Sequence, residues 1–154
     1  MENSVLIVPF TIDKLNDVIN FENNLREEED VWGWDIDDKY ISSVKDSFSN
    51  KSFDDCISLL AYIDGKVVGR IDASMIKTRF DGSTRAYLDW VCVLKSYRHI
   101  GVAQALLKEL CVVLKSRGIT SLVGLTAANE EAQKFYHSIP NSIMRDIGIW
   151  IDIV

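Results

Sequence analysis

A strand that runs through a short polar loop into a glycine-initiated helix is the feature that most constrains this 154-residue chain. Apolar residues end the strand at Leu94, and the helix pattern starts at Gly101. The helix has one apolar stripe at spacings of three and four, formed by Val102, Ala103, Leu106, Leu107, Leu110, Val113 and Leu114. Gly118 follows Arg117 where such a helix would end. The sequence therefore predicts a strand, a tight loop and a long amphipathic helix.

The loop between them reads Arg98-x-x-Gly101-x-Ala103. Small residues let a ligand approach the backbone, and the first helical turn leaves N–H groups without partners. Such donors, at the positive end of the helix dipole, suit a phosphate or pyrophosphate, and an arginine adds a permanent charge with forked donors. The candidate anion-binding residues are Arg98, His99 through its backbone, Ile100, Gly101, Val102 and Ala103. An ordinary strand-to-helix turn with an exposed arginine fits the same residues. A nucleotide phosphate loop and a dinucleotide fingerprint do not fit, because their further glycines and lysine are absent.

Two flanking motifs favour the binding interpretation. Tyr87-Leu88-Asp89-Trp90-Val91-Cys92-Val93 precedes the loop, and Asn129-x-x-Ala132-x-x-Phe135-Tyr136 follows it. Together with the loop they resemble the GNAT superfamily of acyl-CoA-dependent N-acyltransferases over about residues 59–138. In that family the pyrophosphate loop reads Arg/Gln-x-x-Gly-x-Gly/Ala, and the second motif reads Asn, then Ala, then an aromatic–Tyr pair.

The resemblance implies one α/β (α+β) GNAT-like domain over residues 1–154. Its expected sheet is central, mixed and mostly antiparallel, with six to seven strands and helices on both faces. A splayed parallel strand pair is expected to bind CoA in the gap. The alternating segment Met144–Ile153 predicts the closing strand, and its apolar end is compatible with a homodimer.

The resemblance also implies roles for particular residues. The backbone of Val91, Cys92 and Val93 would bind the pantetheine arm of acetyl-CoA. Asn129 fits a helix N-cap, and in the family this side chain also contacts the arm. Tyr136 would hydrogen-bond the CoA sulfur and protonate the leaving thiolate, although a half-buried structural aromatic is the alternative. An acyl-cysteine at Cys92 lacks a visible histidine partner.

Asp89 is an acid inside an otherwise apolar strand. Strand alternation predicts that Tyr87, Asp89, Val91 and Val93 share one face. Partial burial would raise the pKa of Asp89 and suit it to accept a proton from an amine, directly or through water. The matching position in many GNAT members is an acid, usually Glu. A salt bridge or a solvated strand end is the structural alternative.

An acidic segment from Glu22 to Asp38 contains eight acids and one base, with two tryptophans interleaved. A solvated helix end with tryptophans in the core explains this pattern. An acceptor pocket explains it equally well, because carboxylates attract an ammonium group and indoles can wall it. The candidate acceptor-binding residues are Glu28, Glu29, Trp32 and Trp34.

Composition narrows the partners and the compartment. The formal net charge of −6 argues against general nucleic-acid binding, which needs a basic surface. No apolar run has the length of a membrane span, and the N-terminus lacks a signal pattern. The three cysteines are odd in number and far apart, and no cluster of metal ligands is visible. We therefore expect a cytoplasmic protein with reduced thiols, no metal, no nucleic-acid partner and no membrane.

These observations predict an N-acetyltransferase that transfers an acetyl group from acetyl-CoA to a primary amine in a ternary complex. The expected acceptor is a small cationic amine, such as a polyamine, an aminoglycoside-like antibiotic or a peptide amino terminus. The alternative is an acyl-CoA-binding sensor without turnover. Such a binder needs neither Asp89 nor Tyr136, so the presence of both favours the enzyme.

Overall fold

The computed structural model describes residues 4–30, 33–146 and 148–153. Five strands form one sheet in the order β1-β2-β3-β4-β5. The strands are β1 (Leu6–Pro9), β2 (Ile57–Ile63), β3 (Lys66–Lys77), β4 (Thr84–Val93) and β5 (Leu122–Gly124). The helices are α1 (Leu15–Glu28), α2 (Asp38–Ser47), α3 (Val102–Ser116) and α4 (Glu130–His137).

The first four strands form an antiparallel meander. Asp64 and Gly65 connect β2 to β3 with φ values of 50° and 74°, as a two-residue hairpin turn requires. The long α3 connection returns the chain to the sheet edge, where β5 runs parallel to β4 and Ala86 donates to the Ser121 carbonyl at 3.0 Å. The mixed, mostly antiparallel sheet is confirmed.

Helices α1 and α3 cover opposite faces of the sheet, as two neighbouring β3 residues show. A Cβ on Gly69 would lie 3.0 Å from Val102 and 3.1 Å from Leu106 of α3. The next residue, Arg70, contacts Glu22 of α1. Because successive strand residues point to opposite faces, the two helices lie on different sides. Their apolar residues form the core on each side, with Val18, Phe21 and Leu25 from α1 and Leu106, Leu110 and Leu114 from α3.

A β-bulge interrupts β4 at Asp89. Asp72 pairs with Trp90 and Ala73 pairs with Leu88, so Asp89 is the extra residue. Directly paired residues share a face, and the pairs Asp72–Trp90 and Arg70–Cys92 therefore face α1. The expected grouping of Asp89 with Val91 and Val93 is wrong, because the bulge reverses the alternation beyond it.

The expected six to seven strands are corrected to five in the part of the chain that the structure describes. Residues 144–146 and 148–153 form no strand, although Met144–Ile153 alternates as a strand would. Ile149 is 79% exposed and Trp150 is 76% exposed. Alternation makes a strand conformation favourable, but a strand also needs a backbone partner, and none of the described pairings includes this segment.

The described residues fall into two compact units, Met1–Val123 and Gly124–Val154. The first contains the meander, α1, α2 and α3. The second contains α4, whose N-cap Asn129 accepts a hydrogen bond from the Ala132 amide at 2.9 Å. The expected N-cap role of Asn129 is thus present. Across the described ranges, no helix is long and apolar enough to cross a bilayer.

Candidate active site

The loop before α3 has the geometry of an anion-binding turn. His99 and Gly101 have positive φ values of 64° and 90°, and residues in this conformation turn successive N–H groups toward one side. The α3 N-cap, Gly101, provides no side-chain cap, and the Ala105 amide bonds back to the Gly101 carbonyl at 2.9 Å. The first N–H groups of α3, beginning at Val102, therefore have no hydrogen-bond acceptor within the helix. A Cβ on Gly101 would meet no atom within 4 Å, which leaves open space for a ligand. This loop fits a pyrophosphate.

The Arg98 side chain lies beside this loop and is paired with Glu29 at the end of α1. Its Nη1 lies 3.2 Å from Glu29 Oε2, and its Nη2 contacts Glu29 Oε1. Its Nε donates to the Val93 carbonyl at 3.1 Å. The guanidinium thus connects the end of β4 to the acidic segment. The sequence predicted that the positive charge of Arg98 binds a pyrophosphate, but in the structure Glu29 compensates that charge.

Glu28 contacts the same loop. Its carboxylate accepts hydrogen bonds from the Ser96 amide at 3.0 Å and the Ser96 hydroxyl at 2.7 Å. Desolvation acts to raise the pKa of Glu28, but the two Ser96 donors outweigh it and hold this pKa below its usual value. Glu28 and Glu29 therefore lie against the candidate anion loop, and their role toward an acceptor stays a prediction.

Trp34 lies in an aromatic cluster on the α1 side of the sheet. Its ring stacks on Tyr40 at 5.9 Å and meets Trp90 edge-on at 5.9 Å between centroids. It is 46% exposed, and its Nε1 donates to Glu22 Oε2 at 3.2 Å. The other predicted tryptophan, Trp32, lies outside the described residues.

Glu22, which is fully buried, organises this side of the sheet. Its carboxylate accepts from the Tyr40 hydroxyl at 2.6 Å and lies 3.3 Å from Arg70 Nη1. Burial and the hydrogen bond to Glu22 raise the pKa of Tyr40 to about 12. A buried carboxylate needs such partners, so Glu22 fixes the positions of Trp34, Tyr40 and Arg70.

A cavity of about 390 Å³ lies next to this network, against the bulge in β4. Phe10, Phe48 and Phe53 line its apolar part, and Phe10 and Phe48 meet edge-on at 5.1 Å. Its polar part contains the carboxylates of Asp54, Asp72 and Asp89 and the guanidinium of Arg70. With three acids against one base, the cavity favours a cation with an adjoining apolar surface.

Asp89 lies on the cavity wall, on the face of Ser74, because it alternates with Tyr87, the β4 partner of Ser74. The Ser74 hydroxyl donates to Asp89 Oδ1 at 3.1 Å. Burial raises the pKa of Asp89, the Ser74 hydroxyl lowers it, and the charge of Asp72 raises it; the net result is above the usual value. A carboxylate with a raised pKa on the wall of an acidic cavity has the chemistry of a general base for an amine.

The sequence matches the family model described as acetyltransferase (GNAT) family over residues 16–139. The chain belongs to the GNAT acetyltransferase family. It is accordingly an acyl-CoA-dependent N-acetyltransferase that uses acetyl-CoA as its acyl donor. None of the curated proteins that were compared matches it.

Solved structures of other acetyltransferases share this GNAT fold. An aminoglycoside acetyltransferase from an uncultured soil metagenomic sample has a TM-score of 0.81 at 14% identity, over 99% of each chain. The aminoglycoside 6′-N-acetyltransferase of Acinetobacter haemolyticus has a TM-score of 0.72 at 20% identity, over 97% of this chain and 99% of that one. The ribosomal-protein-alanine N-acetyltransferase of Brucella melitensis has a TM-score of 0.76 at 18% identity, over 98% of each.

The residues expected to hold the arm of the donor occupy the end of β4. β5 has only three residues and meets β4 near Ala86. Val91 and Val93 therefore lie beyond the part of β4 that pairs with β5. Burial raises the pKa of the Cys92 thiol to about 11. Such a thiol is a poor nucleophile near neutral pH, which disfavours an acyl-cysteine intermediate.

The second predicted GNAT motif lies on α4. Tyr136 packs edge-on against Phe135 at 5.3 Å between centroids. Burial raises the pKa of its hydroxyl, which therefore keeps its proton near neutral pH and can act as a proton donor. Within the described ranges, no group of three or more His, Cys, Asp or Glu side chains could hold a metal ion.

Sequence reasoning missed Asp72 and Arg70, although β3 carried a usable signal. Arg70, Asp72 and Ser74 alternate with apolar Ile71 and Ala73. This alternation predicts one polar face on a strand that leads directly to the key strand. The aromatic and acidic cavity residues that lie between positions 10 and 54 had no comparable signal in the sequence, because they come from separate segments of the chain.

Proposed function

We propose that this enzyme transfers the acetyl group to the primary amine of a small cationic acceptor, by direct attack in a ternary complex. The observation that carries the proposal is the Asp89 carboxylate on the wall of an acidic, aromatic cavity. The amine nitrogen forms a bond to the acetyl carbon as the carbon–sulfur bond breaks. Asp89, directly or through water, accepts the proton that the ammonium group loses before attack, and the second proton that the nitrogen loses after attack balances the proton that Tyr136 gives to the sulfur.

The ammonium group of the acceptor would be drawn into the cavity by Asp54, Asp72 and Asp89. Phe10 and Phe48 would contact the apolar part of the acceptor. Deprotonation of the ammonium group by Asp89 produces the free amine in place. Because both reactants are held in alignment, the reaction becomes nearly unimolecular, which can supply about 7–11 kcal/mol of the barrier reduction.

Acetyl-CoA supplies the thioester, and we propose that residues 98–103 bind its pyrophosphate through backbone N–H groups. The positive φ values of His99 and Gly101 support this role. Arg98 would contribute by sharing its guanidinium between Glu29 and the ligand. The backbone of Val91, Cys92 and Val93 would orient the pantetheine arm, and Asn129 would contact the same arm. A backbone N–H near Val91 would polarise the thioester carbonyl. Tyr136 would protonate the departing sulfur.

The proposed location is the cytoplasm. Cys56, Cys92 and Cys111 are all free thiols, which is typical of proteins in a reducing compartment.

The test is CoA release from acetyl-CoA in the presence of a panel of amines: polyamines, aminoglycosides, arylalkylamines, amino acids and short peptides. Aminoglycosides and peptide amino termini are included because structural neighbours are an aminoglycoside 6′-N-acetyltransferase and a ribosomal-protein-alanine N-acetyltransferase. We expect saturable turnover with at least one cationic amine, and loss of that turnover in Asp89→Asn. Turnover that prefers neutral or acidic amines, or that survives in Asp89→Asn, would overturn the proposal.

A further inference from the structure

We propose that Asp72 is a positioning residue for proton transfer: its fixed negative charge, held by Arg70 beside Asp89, sets the pH range in which Asp89 accepts the proton of the acceptor. The inference rests on the proposed function, in which Asp89 is the base. Asp72 acts through Asp89 and needs no contact with the reacting atoms.

The register of β3 and β4 puts the two carboxylates on the same wall. Asp72 pairs with Trp90, the residue that directly follows Asp89. Asp89 in turn accepts from Ser74, which lies two residues beyond Asp72 on the same face of β3. Both carboxylates line the cavity. Tyr87 pairs with Ser74, so Asp89, two residues on, lies on the face of Ser74 and Asp72, and the bulge places Trp90 on that face as well.

Arg70 holds the Asp72 carboxylate by two contacts. The Nε of Arg70 lies 2.6 Å from Asp72 Oδ2, and its Nη2 donates to Oδ1 at 2.9 Å. Phe10 and Trp90 contact the guanidinium at 5.0 and 5.8 Å from their ring centroids, and Glu22 contacts it from α1. These contacts fix the position of the Asp72 carboxylate on the cavity wall.

Each neighbouring segment contributes other groups to the cavity that Asp89 lines. The segment before β2 contributes Asp54 and Cys56 to the cavity. Helix α2 contributes Val44 and Ser47, which carry no charge. β3 contributes the Ser74 hydroxyl besides Arg70 and Asp72. Ser74 stabilises the ionised form of Asp89, whereas the charge of Asp72 destabilises it, and these opposite effects on its pKa make the proposal testable.

The experiment measures kcat/KM against pH for the wild type and for matched variants, with a primary alkylamine acceptor whose pKa is about 10. Such an acceptor stays protonated over the acidic limb, which then reports the enzyme's base. We expect Asp72→Asn to move the acidic limb to lower pH, because the repelling charge is gone. We expect Ser74→Ala to move it to higher pH, because a stabilising donor is gone. If Asp72 only anchors Arg70, Asp72→Asn will lower activity equally at every pH and leave the limb in place, which overturns the inference.

Asp72→Asn leaves Arg70 with one fewer charged partner, and a mostly buried charge that lacks its partner destabilises a fold. The double variant Arg70→Gln/Asp72→Asn removes both charges, and we expect its acidic limb to move in the same direction as that of Asp72→Asn. Asp89→Asn separates the two hypotheses. An acidic limb that persists in Asp89→Asn refutes Asp89 as the base, whereas a limb that disappears there but does not move in either Asp72 variant refutes only the role of Asp72.

Discussion

The proposed anion loop and the proposed acceptor cavity both adjoin strand β4, but they are built in different ways. The loop consists of six consecutive residues, 98–103, and its N–H donors follow from local backbone conformation. The cavity is assembled from Phe10, residues 44–58, residues 70–73 and Asp89, and its charge exists only after these segments meet. One region offers donors for an anion, and the other offers carboxylates for a cation. The comparison teaches that a transferase can keep a recognisable donor motif while its acceptor site has no motif at all.

The largest expected effect is on the cavity side. Asp89→Asn should lower kcat by about 10²- to 10⁴-fold, the usual contribution of a general base, and should leave the Kd for CoA unchanged. Asp64→Asn, in the exposed β2–β3 turn, is the matched control, and it should retain wild-type kcat. Steady-state kinetics and calorimetric titration with CoA measure both quantities. A parallel loss of CoA affinity in Asp89→Asn would show that the two regions are not separate.

Tyr136→Phe should lower kcat by about 10²-fold, because the departing sulfur loses its proton donor. CoA binding should be retained, since the ring and its contact with Phe135 remain. Tyr62→Phe removes a different hydroxyl, one that donates to Asp17, and should leave kcat unchanged. Unchanged turnover in Tyr136→Phe would remove Tyr136 from the mechanism.

Gly101→Ala tests the loop side. A side chain at φ +90° is strained by about 1–2 kcal/mol, so the loop should shift and the Kd for CoA should rise about tenfold. Gly118→Ala is the matched control, because Gly118 also has a positive φ and open space around it but lies at the far end of α3. Both variants should lose similar stability in urea denaturation, and only Gly101→Ala should lose CoA affinity. Equal CoA affinities in the two variants would argue against an anion site in this loop.

The smallest effect is expected at Glu29, where the acidic segment meets the anion loop. Partly exposed ion pairs contribute about 0.2–1 kcal/mol, so Glu29→Gln should release Arg98 and lower the Kd for CoA by up to about fivefold. Glu27→Gln, an exposed change of the same charge, is the control and should have no effect. If Glu29→Gln instead raises the KM for the acceptor and leaves CoA binding unchanged, the acidic segment belongs to the acceptor site, as the sequence suggested.

Much of the donor side could be predicted from the sequence. The α3 helix begins after Gly101 and ends near Gly118 as its spacing requires, and the Asp64–Gly65 pair forms the hairpin turn that this dipeptide favours. These features depend on neighbours three or four residues away, so the sequence contains them directly. The family assignment has the same origin, because its motifs are short and contiguous.

The acceptor side could not be predicted in the same way. Asp89 was recognised as anomalous, but strand alternation placed it with Val91 and Val93, and only the pairing with β3 reveals the bulge. Glu28 and Glu29 were grouped with the acceptor because they are acidic and near tryptophans. The structure places them against Ser96 and Arg98. The alternating segment Met144–Ile153 was expected to be a strand, but strand formation depends on a partner that the segment itself cannot specify.

The sequence by itself determined the family, the meander, the loop before α3 and the presence of an acid in β4. Only the tertiary structure decided which way that acid points, that Asp72 and Arg70 stand beside it, and that Glu29 rather than solvent faces Arg98. The physical reason is the range of the interactions. Helix periodicity and turn conformation are set by adjacent residues, whereas a bulge, a buried charge network and a cavity depend on contacts between residues dozens of positions apart.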